Sequence, residues 1–282
     1  MNENILFTLA FIVVAGAAAQ WAAWRTQVPA IVFLLAVGLA AGPGLGWIDP
    51  DRLFGPVLFP AVSLAVAVIL FEGSLTLRFS ELRGMSTVVL RLVSLGALLT
   101  WAVAAVAAHL FVDLDWGLAA LFGALVMVTG PTVIVPLLRF VRPSDKVATV
   151  LRWEGIVIDP IGALAAVLVY QFLVSRALPD LPAWSALWVF VKAVGVGFAT
   201  GWIAAEALGR MLRRYLVPDY LDSVIVLAFV VGVFTASNLL AHEAGLLAVT
   251  VMGMRLANMK GVPLEDILSF KETLTILLIS VL

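Results

Sequence analysis

An all-α integral membrane protein with about ten transmembrane helices is predicted by composition, run length and charge placement. Of the 282 residues, 63 % are hydrophobic and only 12 % are Asp, Glu, Lys or Arg. A soluble domain has roughly 45–50 % apolar and about 25 % charged residues. Surface-to-volume scaling leaves a soluble fold of this length a large exposed skin that such a composition cannot cover. A soluble enzyme, a nucleic-acid-binding module and a disordered chain are thereby excluded. The net charge of −1 points to no partner chosen by bulk charge, and the absence of cysteine removes disulfides, zinc–thiolate sites and cysteine nucleophiles.

The N-terminal Met1-Asn2-Glu3-Asn4 lacks the basic start of a cleaved signal peptide, so the apolar run from Ile5 reads as the first span. Runs of about 20 apolar residues, enough to cross roughly 30 Å of hydrocarbon, lie near 5–23, 28–48, 56–77, 86–111, 116–138, 153–175, 184–209, 219–240 and 243–258. A tenth starts near Ile267 and runs to Leu282. The runs are too long for barrel strands and do not alternate, so they are helices. Short connections predict a compact bundle, with Gly38-xxx-Gly42 and Gly197-xxx-Gly201 as close-packing patterns.

Charge placement supports this division. Connections after odd spans hold Arg25, then Arg78, Arg83 and Arg91, then Arg139, Arg142, Lys146 and Arg152, then Arg210, Arg213 and Arg214, and finally Arg255, Lys260 and Lys271. These are 14 of the 17 basic residues. Of the basic residues, even connections hold only Arg52 and Arg176, with Lys192 inside span seven, and they hold the acids Asp49, Asp51, Asp113, Asp115, Asp180 and Glu243. By the positive-inside rule the odd connections are cytoplasmic and the N-terminus is outside.

Ionisable groups inside spans cost at least a few kcal/mol and are functional candidates. They are Glu72, Glu154, Asp159, Lys192 and Glu206. Lys192 and Glu206 lie toward the ends of span seven, where snorkelling or a structural pair accounts for them. Glu72 precedes Arg78 by six residues and Asp159 follows Arg152 by seven. Both therefore sit about 10 Å inside the cytoplasmic boundary. Thr129-Gly130-Pro131 lies slightly deeper on span five. Pro131 and Pro136 cannot donate to the carbonyls of Met127 and Thr132, and Pro160 frees that of Ile156. Helix breaks are expected there, and freed carbonyls beside a carboxylate are the parts of a transporter cation site. His109 and His242, near outer span ends, read as surface or capping groups. Without a Ser–His–Asp set, phosphate loop or metal-ligand cluster, the reading is a transporter, not an enzyme, with no cofactor and no nucleic-acid partner.

Five segments occur in order: Val28-Pro29-Ala30 through Leu39-Ala40-Ala41-Gly42-Pro43, Phe71-Glu72-Gly73-Ser74-Leu75, Thr129-Gly130-Pro131-Thr132, Trp153-Glu154-Gly155, and Asp159. Together they resemble the monovalent cation:proton antiporters of the NhaP/NHE-like family over essentially the whole chain. The resemblance implies a fold of about thirteen helices with crossed, broken core helices and a separate dimerisation scaffold. It implies exchange of Na⁺ or K⁺ for H⁺ by alternating access, supporting pH homeostasis from a plasma (inner) membrane. A potassium-efflux-type exchanger and a non-transporting sensor or scaffold subunit are the alternatives. Residues 1–282 then form an incomplete transmembrane exchanger domain, with the second half of the core expected beyond Leu282. A homodimer in lipid, with a regulatory domain following in some similar proteins, is also implied.

Carried over by position, Asp159 matches the Asp that binds cation and proton in turn. Thr129 matches an unwound Thr facing the site, and Glu72 an acid near it. Glu154 matches a core Glu whose expected Arg partner would lie beyond Leu282. Gly130, Pro131 and Pro160 belong with Glu154 to the core and its helix breaks. The chain departs from the family pattern at Gly130, which replaces an Asp; at Ile158, which replaces an Asn; and at Gly155, which replaces a common Ser. One essential acid, Asp159, predicts one-for-one electroneutral exchange; titration of Glu72 would change that stoichiometry.

Overall fold

The computed structural model describes residues 2–262 apart from 27, 131–132, 135–136, 139–140 and 178–183. Pro131, Pro136 and the tenth apolar run, with Lys271, lie outside the described residues. Each of the nine earlier runs contains helix. We number these α1 (Asn2–Thr26), α2 (Ala30–Leu39), α3 (Pro50–Phe54), α4 (Leu58–Leu75), α5 (Ser86–Arg91), α6 (Ala97–Val112), α7 (Trp116–Val126), α8 (Asp145–Ala177), α9 (Trp184–Arg213), α10 (Asp222–Leu240) and α11 (Ala244–Ala257). Among the described residues, six helical segments are long and apolar enough to cross a bilayer, and three shorter apolar helices accompany them. The protein is a multi-pass membrane protein.

Local chemistry explains the irregularities. Pro43 lacks an N–H and crowds the preceding turn, so α2 ends in a π turn over Ala40–Gly44. Asp49 caps α3 by accepting from the Arg52 N–H at 3.2 Å, with Pro50 at the first helical position. A second π turn, Leu92–Gly96, joins α5 to α6 into one long segment. Asp115 caps α7 by accepting from the Gly117 N–H at 2.9 Å. His109 stacks on Trp116 and its Nδ1 bonds the Leu114 carbonyl at 2.7 Å, fixing the turn between α6 and α7.

Two packed groups result. In the first, α4, α9, α10 and α11 meet around Leu70, Phe71, Leu208, Val230, Met252 and Leu256. Helix α11 has 14 residues, too few to span about 30 Å of hydrocarbon alone. It is apolar and buried along most of its length, enclosed by α4, α9 and α10. Glycines permit the approach: a Cβ on Gly197 would lie 2.8 Å from the Ala244 carbonyl oxygen, and one on Gly253 would lie 2.7 Å from that of Phe71. The Gly197-xxx-Gly201 pattern therefore packs α9 on α11. Gly38 has open space around it, so Gly38-xxx-Gly42 does not make a close crossing.

The second group contains α6, α7 and α8, with Ala97, Met127, Ile158 and Ala165 in contact. Trp101 Nε1 donates to the Ala120 carbonyl at 2.8 Å across α6 and α7. The two groups meet along α8 at separate places. Trp153 and Ile156 pack with Leu77 and Val89; farther along, Leu164 packs with Ala193, Ala241 and Ala244.

Candidate functional site

Span five is not one continuous helix. Helix α7 stops at Val126, and residues 128–130 are non-helical. Val133 and Ile134 then donate to the Gly130 carbonyl, both at 3.1 Å. The break expected from Thr129-Gly130-Pro131 is present, and it begins at Met127, the carbonyl that Pro131 cannot engage.

Pro160 behaves differently. The sequence suggested a second break there, but α8 continues from Asp145 to Ala177 with Pro160 inside it. One proline removes one donor, and the ladders on both sides hold a 33-residue helix together. Pro160 is thus a buried helical residue, not a helix break.

The unwound stretch lies along α8. Thr129 Oγ1 donates to Glu154 Oε1 at 2.6 Å. A Cβ on Gly155 would stand 3.4 Å from the Thr129 carbonyl oxygen, and one on Gly162 would collide with the Val128 side chain. Asp159 is four residues after Gly155 and three before Gly162. These offsets place it on the α8 face that receives the unwound segment. Asp159 is half-buried. A partly enclosed carboxylate and an unwound backbone, the latter held to α8 by the Thr129–Glu154 bond, are consequently brought to one face of α8 within the membrane-spanning part.

The other candidates have separate surroundings. Ile158 is buried against Ala97, Met127 and Ala165, so its side chain belongs to the apolar contact with α6 and α7. Glu72 is buried on α4, which touches α8, and it takes no part in the Thr129–Glu154 bond. Glu154 engages Thr129, within the same core group. His242 is exposed in the turn between α10 and α11, and Lys192 lies on the exposed side of α9.

Glu206 forms an ion pair with Arg255 of α11 at 2.5 Å and another with Arg210 at 3.1 Å. The Arg255 guanidinium also sits 4.5 Å from the centre of the Trp202 ring. The i, i+4 spacing of Glu206 and Arg210 was readable in the sequence, whereas Arg255 comes from a helix two elements later. Asn258, at the end of α11, carried no sequence signal. It bonds to Leu77 and Phe79, 181 and 179 residues away in the chain.

Comparison with known proteins identifies the family and the fold. Residues 7–281 match the family model described as sodium/hydrogen exchanger, transmembrane. The K⁺/H⁺ antiporter NhaP2 of Shewanella sp. (strain MR-4) is 28 % identical over 235 residues, covering 83 % of this chain and 40 % of the relative. Na⁺/H⁺ antiporter 1 of Methanocaldococcus jannaschii is 25 % identical over 261 residues, 89 % of this chain and 59 % of that protein. The chain thus spans less than two thirds of the length of these relatives, 40 % and 59 %. Its fold matches the structure of the sodium proton antiporter MjNhaP1 from the same archaeon at pH 8, with a TM-score of 0.81 and 23 % identity. That match covers 97 % of this chain and 67 % of the other. The chain belongs to the sodium/hydrogen exchanger transmembrane family.

Proposed function

We propose that this protein is a secondary active antiporter, exchanging Na⁺ or K⁺ for H⁺ across the membrane by alternating access. Asp159 binds the cation and the proton in turn. The observation that carries the reading is the unwound Val128–Gly130 segment lying along the Gly155–Gly162 face of α8, where Asp159 sits. Unwound backbone is tolerated at membrane depth where it lines a polar site, and its carbonyls are cation ligands.

Competition at one carboxylate couples the two ions. Burial disfavours an ionised carboxylate and a bound cation favours it, so a site of this kind releases a proton as it takes a cation. Thr129 contributes backbone oxygen beside the site, and its hydroxyl bond to Glu154 fixes the unwound segment against α8. Gly130 and Pro131 carry no titratable side chain, and in this reading they open the backbone, whereas Pro160 packs inside the continuous α8. With Asp159 as the single essential acid, exchange is electroneutral, one cation for one proton; Glu72 is the acid whose titration would alter that count.

The concentration of basic residues in the odd connections supports an N-terminus on the outside. We assign the protein to the plasma (inner) membrane, as a homodimer in lipid. Relatives named as K⁺/H⁺ and as Na⁺/H⁺ antiporters make both cations part of the proposal.

The test is a pH-gradient assay on the full-length protein in proteoliposomes, with Na⁺ and K⁺ supplied separately. Asp159→Asn is expected to abolish cation-driven proton movement. Undiminished flux in that variant would remove Asp159 from its role, and absence of flux in the unsubstituted protein would favour a non-transporting scaffold. A transport current that reverses with membrane potential would reject electroneutrality.

A further inference from the structure

Asn258 closes α11 with more bonds than a helix cap requires. Its Nδ2 donates to the Met254 carbonyl at 2.7 Å, within its own helix, and to the Leu77 carbonyl at 2.8 Å. Its Oδ1 accepts from the Phe79 N–H at 2.7 Å. The amide orientation is fixed, because a flipped side chain would set its NH₂ against the Phe79 N–H and its oxygen against two carbonyls. The chain leaving α4 is therefore bound to the end of α11, inside the group formed by α4, α9, α10 and α11.

That bound segment is also where the two packed groups meet. Leu77 is fully buried in contact with Trp153 and Ile156 of α8. The Phe79 ring lies 5.6 Å from the Trp153 ring, tilted by 33°. Trp153 directly precedes Glu154, the acceptor for Thr129. Trp153 is almost entirely buried, whereas Phe79 is 54 % exposed.

We propose that Asn258 is a positioning residue for the site: by holding Leu77 and Phe79 to α11, it sets through Trp153 the height at which α8 stands against α4. The inference rests on the exchange reading above, because Glu72 and Asp159 lie on the two helices so aligned. Alternating access moves one packed group against the other, and α8 and α4 belong to different groups. The Phe79–Trp153 contact crosses between the groups and must part or slide in that change, while the Asn258 bonds stay within one group.

Residues 1–282 contain no cysteine, so in a background kept cysteine-free outside them an introduced pair reports alone. In the full-length protein, Phe79→Cys with Trp153→Cys is expected to cross-link under a mild oxidant. Exchange should fall at least tenfold and return on reduction. Adding Asn258→Ala should slow cross-linking several-fold. Asn258→Ala alone should shift the apparent KM for the cation several-fold more than it changes thermal stability would explain, with Asn258→Asp intermediate because it keeps the acceptor for Phe79. Asn258→Asp also serves if the alanine variant fails to fold. Cross-linked protein that exchanges at full rate would overturn the proposal. So would cross-linking and KM that ignore both Asn258 substitutions. If the unsubstituted protein moves no cation, the exchange reading fails, and the dependence of cross-linking on Asn258 alone decides the positioning.

Discussion

The Thr129 hydroxyl donates to the Glu154 carboxylate at 2.6 Å, tying the unwound segment after α7 to the helix that carries Asp159. This bond bridges two elements whose own backbone ladders cannot register them. Hydrogen bonds to charged groups contribute about 1.5–3 kcal/mol where enclosed, and the exposure of Thr129 places this one toward the low end.

Loss of that bond gives the first prediction. Thr129→Val keeps the side-chain volume and removes the donor, leaving Glu154 without the hydroxyl. Cation affinity in the proteoliposome assay is expected to fall several-fold, while Thr129→Ser retains it. Equal behaviour of the two variants would show that the hydroxyl does not position the segment.

The crossing of α4 and α11 gives the second. A Cβ on Gly253 would meet the Phe71 carbonyl at 2.7 Å and collide with Ser74 Oγ. Gly253→Ala is expected to destabilise the protein by about 1–3 kcal/mol through overpacking. Gly38→Ala has open space and should be neutral or slightly stabilising. Thermal unfolding of both variants in the same detergent compares them directly.

The ion pairs of Glu206 give the third. Arg255 is the less exposed partner and reaches across from α11, whereas Arg210 is 60 % exposed on the same helix. Arg255→Ala should therefore lower the melting temperature more than Arg210→Ala, because only the former removes a tie between helices and the cover over Trp202. Substituting Glu206→Gln on top of Arg255→Ala should add little. Melting curves of the single and double variants measure this coupling.

The continuous course of α8 gives the fourth. Pro160→Ala restores an N–H opposite the Ile156 carbonyl in an unbroken helix. The fold and melting temperature are expected to be retained or raised. A marked fall in melting temperature would mean that the proline ring itself is a required part of the packing.

How far the sequence could be read followed from the range of each interaction. Bilayer thickness acts on every span separately, so the runs near 5–23 through 243–258 were legible, and each holds helix. The opening at Thr129-Gly130 was legible because a missing N–H at Pro131 acts four residues back. The same local rule overstated Pro160, where a long helix carries on past the missing bond. Arg255 was read as a loop charge because nothing near it in the sequence reveals Glu206, 49 residues earlier. Asn258 was silent because Asn is commonplace at helix ends and its distant partners are main-chain groups of Leu77 and Phe79.

By itself the sequence determined an all-helical membrane protein, the course of its apolar runs and the acids inside them. Lipid offers no partner to backbone or charge, so each such feature is forced locally. Only the tertiary structure decided which of them meet: the unwound segment on the Asp159 face of α8, Glu206 on Arg255, and α11 enclosed against Gly197 and within contact of Phe71. Those outcomes depend on helix rotation and crossing, set by small residues and long-range pairs that no local pattern encodes.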